Sequence, residues 1–443
     1  DLSFSSPKSS SIAWAISDRD LQKKIETAHI ESVKSAVDYI ESEVNIVSAG
    51  KGKISGNGQF DVCTEKAGLA AAIYTHHTSR SGDMALHSHA IIANCVERSD
   101  GRMMSLNSRE LYQRKKEIGA VYRSEFASRL QDLGFTVERD KFSFRVSGIS
   151  NEAENHFSQR AREIRSSMSE MGVDSAKASD IAALATRSDK TNINTEYLQA
   201  TWRDRASKFG IDSKTIEKLT NQPKSEKGSL TFEHVLEKLT EHNSVFSQNK
   251  AREIIATEAQ GKLNASQIIE FGNKFFGHEN NQLVILEKNG NIAYSSKEMV
   301  RIERNLLQTA TALNQKSNHQ VTQDTANRAM RQFNASHGFE LSNEQSDTVK
   351  SITTRPSDIS IVQGSSGTGK TTMLSAARTA WEASGYRVKG AALSGKAAAS
   401  LNDAGIDSKT IAATILHSKR WVNERGQSIS AKDPMVSRDI LII

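Results

Sequence analysis

Residues 69–93, LAAAIYTHHTSRSGDMALHSHAIIA, decide how the first part of this chain folds. Leu69–His76 and Ala85–Ala93 have the residue pattern of two β-strands, and the link 78–84 has turn-forming residues at its centre. The stretch therefore predicts a β-hairpin.

Three histidines on this hairpin, His76-x10-His87-x-His89, have the spacing of a metal site. Side chains two positions apart on a strand point to the same face, so His87 and His89 project together, with His76 nearly opposite them. Neutral imidazole binds zinc, manganese, iron, nickel or copper, and three such ligands leave positions open for a phosphate and water. The alternative is that these are polar residues of a solvated sheet face. His77 is predicted to point to the opposite face.

A second motif, Gly364-x4-Gly369-Lys370-Thr371, matches the Walker A pattern of nucleotide-binding loops. We predict a strand over Ile359–Val362 before it and a helix over Thr371–Ala383 after it. Backbone N–H groups at such a helix N-terminus face phosphates. Lys370 is expected to meet the β- and γ-phosphates and Thr371 to bind Mg²⁺. The predicted nucleotide-binding residues of the motif are Gly364, Gly367, Gly369, Lys370, Thr371 and Thr372. A glycine- and serine-rich turn without function is the alternative.

Composition restricts the class of protein. At about 150 residues per domain, the 443 residues predict about two to four domains. The net charge of +6 is compatible with nucleic-acid binding but does not demand it. No apolar run reaches the roughly 18 residues of a membrane span, so none is predicted. Cys63 and Cys95 are too few for a disulfide framework or a cysteine-type zinc site.

Other elements follow from periodicity and turn residues. We predict helices over Asp18–Ile40, with Asp18 as its N-cap, and over Ser108–Leu133. Hairpins are predicted over Thr136–Val146 and over Gln282–Tyr294, the latter turning at Asn289-Gly290. The remaining predictions are a helical region over 150–222, a linker over 223–228 and a polar region with a weak core signal over 315–336.

The hairpin motif His76-His-Thr-Ser-Arg80, with Asp83, Leu86-His87-Ser-His89 and Asn94, closely resembles MobF-type (TraI/TrwC-like) conjugative relaxases of the histidine–hydrophobe–histidine nuclease class. Asp1-Leu-Ser-Phe-Ser-Ser-Pro-Lys8-Ser resembles the aspartate motif of the same family. The resemblance implies that His76, His87 and His89 are metal ligands. It also implies that Asp1 orients a ligand histidine or helps to activate the nucleophile. We further expect Lys8 and Arg80 to bind DNA, and a divalent ion, Mg²⁺ or Mn²⁺, to occupy the site.

The C-terminal region resembles superfamily-one helicases. Leu341-Ser-Asn-Glu-Gln345 is similar to their adenine-contacting glutamine segment, and Ala391-Ala-Leu-Ser-Gly-Lys396 to a segment that contacts single-stranded DNA. The resemblance implies that Gln345 binds nucleotide, that Lys396 binds DNA and that the cofactor is ATP with Mg²⁺. Alternatively, Gln345 is a plain surface residue and Lys396 a solvated charge at a helix N-terminus.

The resemblance departs from the family at both ends of the chain. The family's nucleophile is a tyrosine upstream of the aspartate motif, and none of the seven tyrosines present matches it. Asp439-Ile-Leu-Ile-Ile443 resembles the strand that precedes the Asp-Glu pair of Walker B, which this chain lacks. We therefore expect a piece cut at both ends that forms no covalent adduct with DNA.

The fold prediction has three parts. Residues 1–205 are expected to form an α+β relaxase domain, an antiparallel sheet with flanking helices. Residues 206–335 are expected to form a helical connector and the N-terminal region of the helicase, and residues 336–443 the first part of an α/β RecA-like P-loop domain.

The function implied for the intact protein is metal-dependent, site- and strand-specific nicking of DNA at an origin of transfer, coupled to ATP-dependent 5′→3′ unwinding. A non-catalytic remnant that binds DNA and metal, and a replication-initiator nuclease, are the alternatives. The implied partners are single-stranded and origin-of-transfer DNA, relaxosome accessory proteins and the coupling protein of a type IV secretion channel. The implied location is the bacterial cytoplasm, from which the protein could enter a recipient cell with the DNA.

Overall fold

The computed structural model of this protein describes residues 1–48, 53–54, 60–61, 64–97, 101–170, 175, 181–182, 195–221, 228–288, 291–365, 367–418, 421–422, 428–429 and 435–443. The chain divides into two compact units, Asp1–Val300 and Arg301–Ile443. The boundary between the units falls inside the region 206–335 that was expected to be a connector.

An antiparallel sheet lies at the centre of the first unit. Its longest strand pairs with the N-terminal strand on one side and with its hairpin partner on the other. The predicted hairpin is confirmed, with both strands longer than expected. The strands of this unit are β1 (Leu2–Ser5), β2 (Val47–Ser48), β3 (Lys53–Ile54), β4 (Phe60–Asp61), β5 (Thr64–Glu65), β6 (Gly68–Thr78), β7 (Met84–Glu97), β8 (Met103–Met104), β9 (Val137–Asp140), β10 (Ser143–Val146), β11 (Leu283–Lys288) and β12 (Asn291–Ser296).

Helices cover one face of this sheet. Leu86, Ser88 and Ala90 of β7 are buried beneath α1 and α2, whereas His87 and His89 alternate with them on the other, partly exposed face. The helices of the unit are α1 (Lys8–Ile16), α2 (Arg19–Glu43), α3 (Ser108–Gln113), α4 (Lys115–Asp132), α5 (Asn151–His156), α6 (Gln159–Glu170), α7 (Thr195–Ser207), α8 (Ser213–Thr220), α9 (Phe232–Thr240), α10 (Gln248–Glu258) and α11 (Ala265–Phe276).

Two helix predictions had different outcomes. Asp18 caps α2 as expected, because its carboxylate accepts a hydrogen bond from the backbone N–H of Leu21 at 2.8 Å. The prediction of one continuous helix over Ser108–Leu133 is wrong, since the chain leaves helical geometry at Arg114. The guanidinium of Arg114 is buried, pairs with Glu117 and donates to the backbone carbonyl of Glu43. A buried charge with these fixed partners selects the broken helix over the continuous one.

Residues 228–300 belong to the same unit as the antiparallel sheet. Helices α10 and α11 contact α4, and Val235 and Phe275 share an apolar cluster with Tyr39 and Val121. The hairpins predicted over Thr136–Val146 and Gln282–Tyr294 form as β9–β10 and β11–β12. Asn289-Gly290 and nearly all of the predicted linker 223–228 lie outside the described residues.

The second unit alternates helices with a parallel sheet of order β14-β13-β17. Its strands are β13 (Arg387–Ala392), β14 (Asp407–Thr410), β15 (Trp421–Val422), β16 (Ser428–Ile429) and β17 (Asp439–Ile442). Its helices are α13 (Gln323–His337), α14 (Asn343–Thr354), α15 (Lys370–Ala383), α16 (Gly395–Asp403) and α17 (Ile411–Ser418), and α12 (Lys297–Asn314) runs across the boundary between the units.

Two predictions for this unit are wrong. Ile359–Val362 forms no strand, because no described strand completes its hydrogen bonds; Ser360 and Val362 instead line a cavity of about 420 Å³ together with Ile440 of β17. The polar region 315–336 has a core after all, since Ala326, Met330 and Phe333 of α13 are buried. None of the helices in the described ranges is long and apolar enough to cross a membrane.

Candidate metal centre and phosphate loop

The strand register brings the three histidines together on the partly exposed face of the sheet. His76 lies directly opposite His87 in the β6–β7 pair, and His89 lies two residues further along β7. Because directly opposed residues share a face, all three imidazoles project from the same side.

The three rings form an equilateral triangle, with each pair of ring centroids 5.4 Å apart. In a tetrahedral site with metal–nitrogen bonds of about 2.1 Å, ring centroids stand about 5.3 Å from one another. Among the described residues, no group of three His, Cys, Asp or Glu side chains forms a ready metal site as the side chains stand. The positions of the three rings nevertheless match those of a metal site with three imidazole ligands.

Partners at Nδ1 fix the orientation of two of these rings. Nδ1 of His87 lies 2.9 Å from the carbonyl oxygen of Ala85, and Nδ1 of His89 lies 3.0 Å from both carboxylate oxygens of Asp1. Ser3 Oγ is 3.1 Å from the same nitrogen of His89. Since a carbonyl or a carboxylate only accepts, Nδ1 carries the proton in both rings, which leaves Nε2 with its lone pair.

Electrostatics favour the neutral form of His87. Burial lowers the pKa of His87, the backbone carbonyl of Ala85 opposes that effect, and the nearby His76 and His89 lower the pKa further. An unprotonated ring is the form that binds a metal ion.

His77 points to the other face, as predicted. Its ring stacks on Trp14 with centroids 4.8 Å apart, and its Nε2 lies 3.0 Å from a carboxylate oxygen of Glu26. It therefore lies apart from the three clustered histidines.

The turn between β6 and β7 is held by a buried carboxylate. Asp83 accepts hydrogen bonds from Arg205 at 3.1 Å and from the backbone N–H of Gln159 at 2.8 Å. Trp202 donates to the carbonyl of Gly82 at 2.9 Å. These contacts hold the turn that carries the exposed Arg80.

The second residue expected to bind DNA in this unit has a different setting. Lys8 is half-buried and its Nζ donates to the backbone carbonyl of Met84 at 2.7 Å. Burial lowers the pKa of this amine, and the nearby carboxylates of Asp83 and Glu154 act in the opposite direction. The structure thus directs Lys8 toward the start of β7.

A buried hydrogen-bond network behind the histidines had no counterpart in the sequence analysis. His29 of α2 connects Tyr122 of α4 with Ser88, the residue between His87 and His89. The available signal was a histidine on the apolar stripe of α2, four residues after Ile25 and four before Val33.

In the second unit the segment with the Walker A pattern, 364–371, is the candidate phosphate loop, and it leads into α15, which begins at Lys370, one residue before the predicted start. Gly367 and Gly369 have φ of +80° and +75°, values that side-chain-bearing residues rarely adopt. Lys370 Nζ donates to the carbonyl oxygens of Gly364 and Ser365 at 2.8 and 2.6 Å. Thr371 and Thr372 follow in the first turn of the helix.

Two further predicted residues lie on this unit. Gln345 completes a capping box with Ser342 and donates to the carbonyl of Thr368 at 3.2 Å, so it contacts the phosphate loop directly. Lys396 is exposed in the first turn of α16. Asp439 of β17 is buried, and although burial alone would raise its pKa, bonds from Arg387 hold that pKa below its usual value.

Comparison with known proteins defines the class. Residues 1–209 match the TrwC relaxase family and residues 340–443 match an AAA domain family. The chain belongs to the MobF-type conjugative relaxases, with an AAA domain after the relaxase domain.

Particular relatives come from conjugation systems. The multifunctional conjugation protein TraI of Escherichia coli is 28% identical over 233 residues, which is 50% of this chain and 12% of that protein. The conjugal transfer protein TraA of Agrobacterium fabrum is 41% identical over 137 residues, 31% of this chain and 12% of that protein. The matched region thus spans about an eighth of these relatives.

Similar solved structures include the conjugative relaxase TrwC in complex with oriT DNA. A metal-bound form is 30% identical and the match covers 48% of this chain and 72% of that one, with a TM-score of 0.42. A copper-bound form is also 30% identical, covering 48% and 70%, with the same TM-score of 0.42.

Proposed function

We propose that the first unit carries the metal-dependent DNA-nicking centre of a relaxase, with His76, His87 and His89 as metal ligands. The observation that carries the proposal is the 5.4 Å triangle of imidazoles, two of which have Nδ1 engaged and Nε2 left to bind a metal. Asp1 is proposed to orient His89 rather than to bind the metal itself.

A divalent ion at this site would polarise a DNA phosphodiester. The chain's own contribution is to display three imidazoles together on one hairpin and to fix the proton of His89 on Nδ1 through Asp1. In the proposed reaction a tyrosine of the family's upstream motif loses its hydroxyl proton as its oxygen forms a bond to phosphorus, the bond between phosphorus and the sugar oxygen breaks, and that leaving oxygen takes up a proton.

Of the two ions expected from the sequence, Mn²⁺ suits the donor set better. Mg²⁺ prefers oxygen ligands and keeps its water shell, whereas imidazole suits manganese and the later transition metals. We therefore propose Mn²⁺ or a later first-row ion at the three histidines.

The second unit is proposed to bind ATP with Mg²⁺ through Gly364, Gly367, Gly369, Lys370, Thr371 and Thr372, with Gln345 beside the loop. Support comes from the left-handed glycines and from the helix that begins at Lys370. Coupling of this site to 5′→3′ unwinding is part of the same proposal.

DNA is the proposed partner of both units. Relatives in this family have been solved in complex with oriT DNA. On this chain we propose Arg80 and Lys396 as phosphate contacts because both are exposed, and we give Lys8 a structural role at β7. The expected relaxosome and coupling-protein partners, and the bacterial cytoplasm as location, stay predictions.

The test is metal binding by the full chain, measured by competition between Mn²⁺ or Co²⁺ uptake and a fluorescent chelator. His87→Ala and His89→Ala should each weaken metal binding at least about 10-fold, since each removes a ligand. His77→Asn is the matched control, because His77 follows the proposed ligand His76 in sequence but its side chain faces the other side of the sheet.

Metal-dependent binding of a single-stranded oligonucleotide completes the test. Wild-type chain should bind the oligonucleotide more tightly with Mn²⁺ than with EDTA, and His87→Ala should lose that difference. Metal uptake no tighter in wild type than in His87→Ala would refute the metal centre. Metal and DNA binding with no cleavage in any longer form that contains the family's tyrosine motif would favour the non-catalytic alternative.

A further inference from the structure

A histidine that the proposed site does not use is buried directly beneath it. His29 and Ser88 are both fully buried, and Tyr122 is 1% exposed. His29 Nδ1 lies 2.7 Å from the Tyr122 hydroxyl and its Nε2 lies 2.8 Å from Ser88 Oγ. Ser88 Oγ in turn lies 2.9 Å from Thr75 Oγ1. One hydrogen-bond chain therefore connects α4, α2, β7 and β6.

Both ring nitrogens of His29 are hydrogen-bonded, and burial keeps this ring neutral. Desolvation by burial lowers the pKa of His29 to about 3, with the neighbouring His87 contributing in the same direction. A neutral imidazole has one N–H donor and one acceptor nitrogen. Each end of the ring has one hydroxyl partner, so both capacities of the ring are used and no polar group at this site is left unpaired.

This series of hydrogen bonds reaches the sheet at residues that are next to the proposed metal ligands in sequence. Ser88 separates His87 from His89, and Thr75 immediately precedes His76. Thr75 and Ser88 are also directly opposite each other in the strand register, one step from the His76–His87 pair. The hydroxyl pair therefore ties the two strands together at the positions that display all three imidazoles.

The register of β6 against β7 at the Thr75–Ser88 pair decides which side chains face outward. A slip by one residue would turn His87 and His89 into the core and Ser88 out of it, because strand side chains alternate. The β6–β7 pair has irregularities between Leu69 and Ala71 and between His76 and Thr78, so the regular stretch with the ligands is short. The same slip would take Ser88 Oγ away from His29 and leave one nitrogen of that buried ring without a partner, which penalises the slipped register.

We propose that His29 is a positioning residue for the three-histidine site: through Ser88 and Thr75 it fixes the strand register and the backbone on which His76, His87 and His89 are displayed. His29 itself is not a proposed metal ligand. The inference rests on the proposed metal centre and deepens it.

The experiment compares three variants of the full chain. His29→Leu removes both hydrogen bonds at similar volume, and His29→Gln keeps one donor and one acceptor. Tyr39→Phe is the control. Tyr39 lies on the same helix and is 2% exposed, and the substitution removes only its buried hydrogen bond to Glu117. Metal affinity is measured by chelator competition, ligand geometry by the visible absorption bands of bound Co²⁺, and stability by urea unfolding.

His29→Leu should weaken metal affinity by about 10-fold or more and change the Co²⁺ bands, as loss of supporting groups behind metal ligands does. His29→Gln should recover affinity to within a few-fold of wild type, and Tyr39→Phe should lower stability without changing affinity or bands. If His29→Leu and Tyr39→Phe lose stability alike while both keep wild-type metal affinity and bands, the positioning role is refuted and the metal centre stands. A wild-type chain that takes up no metal would overturn both.

Discussion

The carboxylate of Asp1 accepts from Nδ1 of His89, with both oxygens 3.0 Å from that nitrogen, although the two residues are 88 positions apart in sequence. The register of β1 against β7 explains the contact, since Ser3 lies opposite His89 and Asp1 continues the same face beyond it. A carboxylate behind an imidazole fixes its tautomer and makes Nε2 more basic. Asp1 is therefore expected to strengthen metal binding by His89, one of the proposed ligands.

Replacing Asp1 should therefore weaken metal binding without removing a ligand. We expect Asp1→Ala to lower Mn²⁺ affinity by about 10-fold, and Asp1→Asn to lower it less, because an amide oxygen still accepts from Nδ1–H. Chelator competition on the full chain measures both. Asp38→Ala, which removes an exposed carboxylate on α2, should leave the affinity unchanged. Equal affinities for wild type and Asp1→Ala would mean that the contact does not support a ligand.

Buried His29 should make stability depend on pH. Its pKa is lowered by burial to about 3 in the folded chain, from an ordinary value of 6.5, so below pH 6.5 the unfolded chain binds a proton that the folded chain does not. The contribution is complete above pH 6.5 and falls progressively as the pH drops toward 3, by up to several kcal/mol.

Urea unfolding between pH 7 and 4.5 tests this dependence. The loss of stability on acidification should be smaller in His29→Gln than in wild type, because glutamine takes up no proton. Tyr39→Phe should give a curve that is lower than wild type but parallel to it. A His29→Gln curve parallel to wild type would show that His29 is not held neutral by the fold.

Lys370 and Lys396 should separate nucleotide binding from DNA binding in the second unit. Lys370 Nζ lies against the carbonyls of Gly364 and Ser365, and under the proposed function it exchanges these contacts for phosphate oxygens when nucleotide binds. Lys370→Ala should weaken binding of a fluorescent ATP analogue by at least about 10-fold, as expected from losing a desolvated charge–phosphate contact worth about 1.5–3 kcal/mol.

Lys396→Ala should keep nucleotide affinity and weaken single-stranded DNA binding, with a smaller salt dependence, since it removes one phosphate contact. Each variant is the control for the other, and both are read by fluorescence titration. An equal loss of both ligands in both variants would indicate general unfolding of this unit rather than two separate sites.

Sequence patterns predicted the parts of this fold that local chemistry decides. The alternation around His87 and His89, the cap at Asp18 and the helix after the phosphate loop all depend on residues close in sequence, and each forms as expected. The placement of Asp1 beside His89 could be anticipated only through the family resemblance, because strand order is not readable from one strand.

What the sequence could not supply depends on distant partners. At the break in the helix Arg114 bonds to the Glu43 carbonyl of another element, and the His29 network uses Ser88 and Tyr122 from two other elements. Ile359–Val362 has the composition of a strand, but a strand forms only where a neighbour completes its hydrogen bonds, and no described strand does so here. Local propensity is overridden in each case by tertiary context.

Two glycines with positive φ should differ sharply in their tolerance of a methyl group. Gly134, just after α4, has φ of +96°, and a Cβ there would lie 2.0 Å from the carbonyl oxygen of Thr220, at the end of α8. Gly210 has φ of +70°, but a Cβ there would meet no atom within 4 Å.

Gly210→Ala should therefore cost only the left-handed backbone penalty of about 1–2 kcal/mol, whereas Gly134→Ala should cost about 3 kcal/mol or more, because α4 and α8 must also separate. Urea unfolding gives the two free energies, and hydrogen exchange of residues 115–132 shows whether α4 is the element that loosens. Equal costs for the two substitutions would mean that the contact between Gly134 and Thr220 is relieved without loss, and that α8 does not pack tightly against the end of α4.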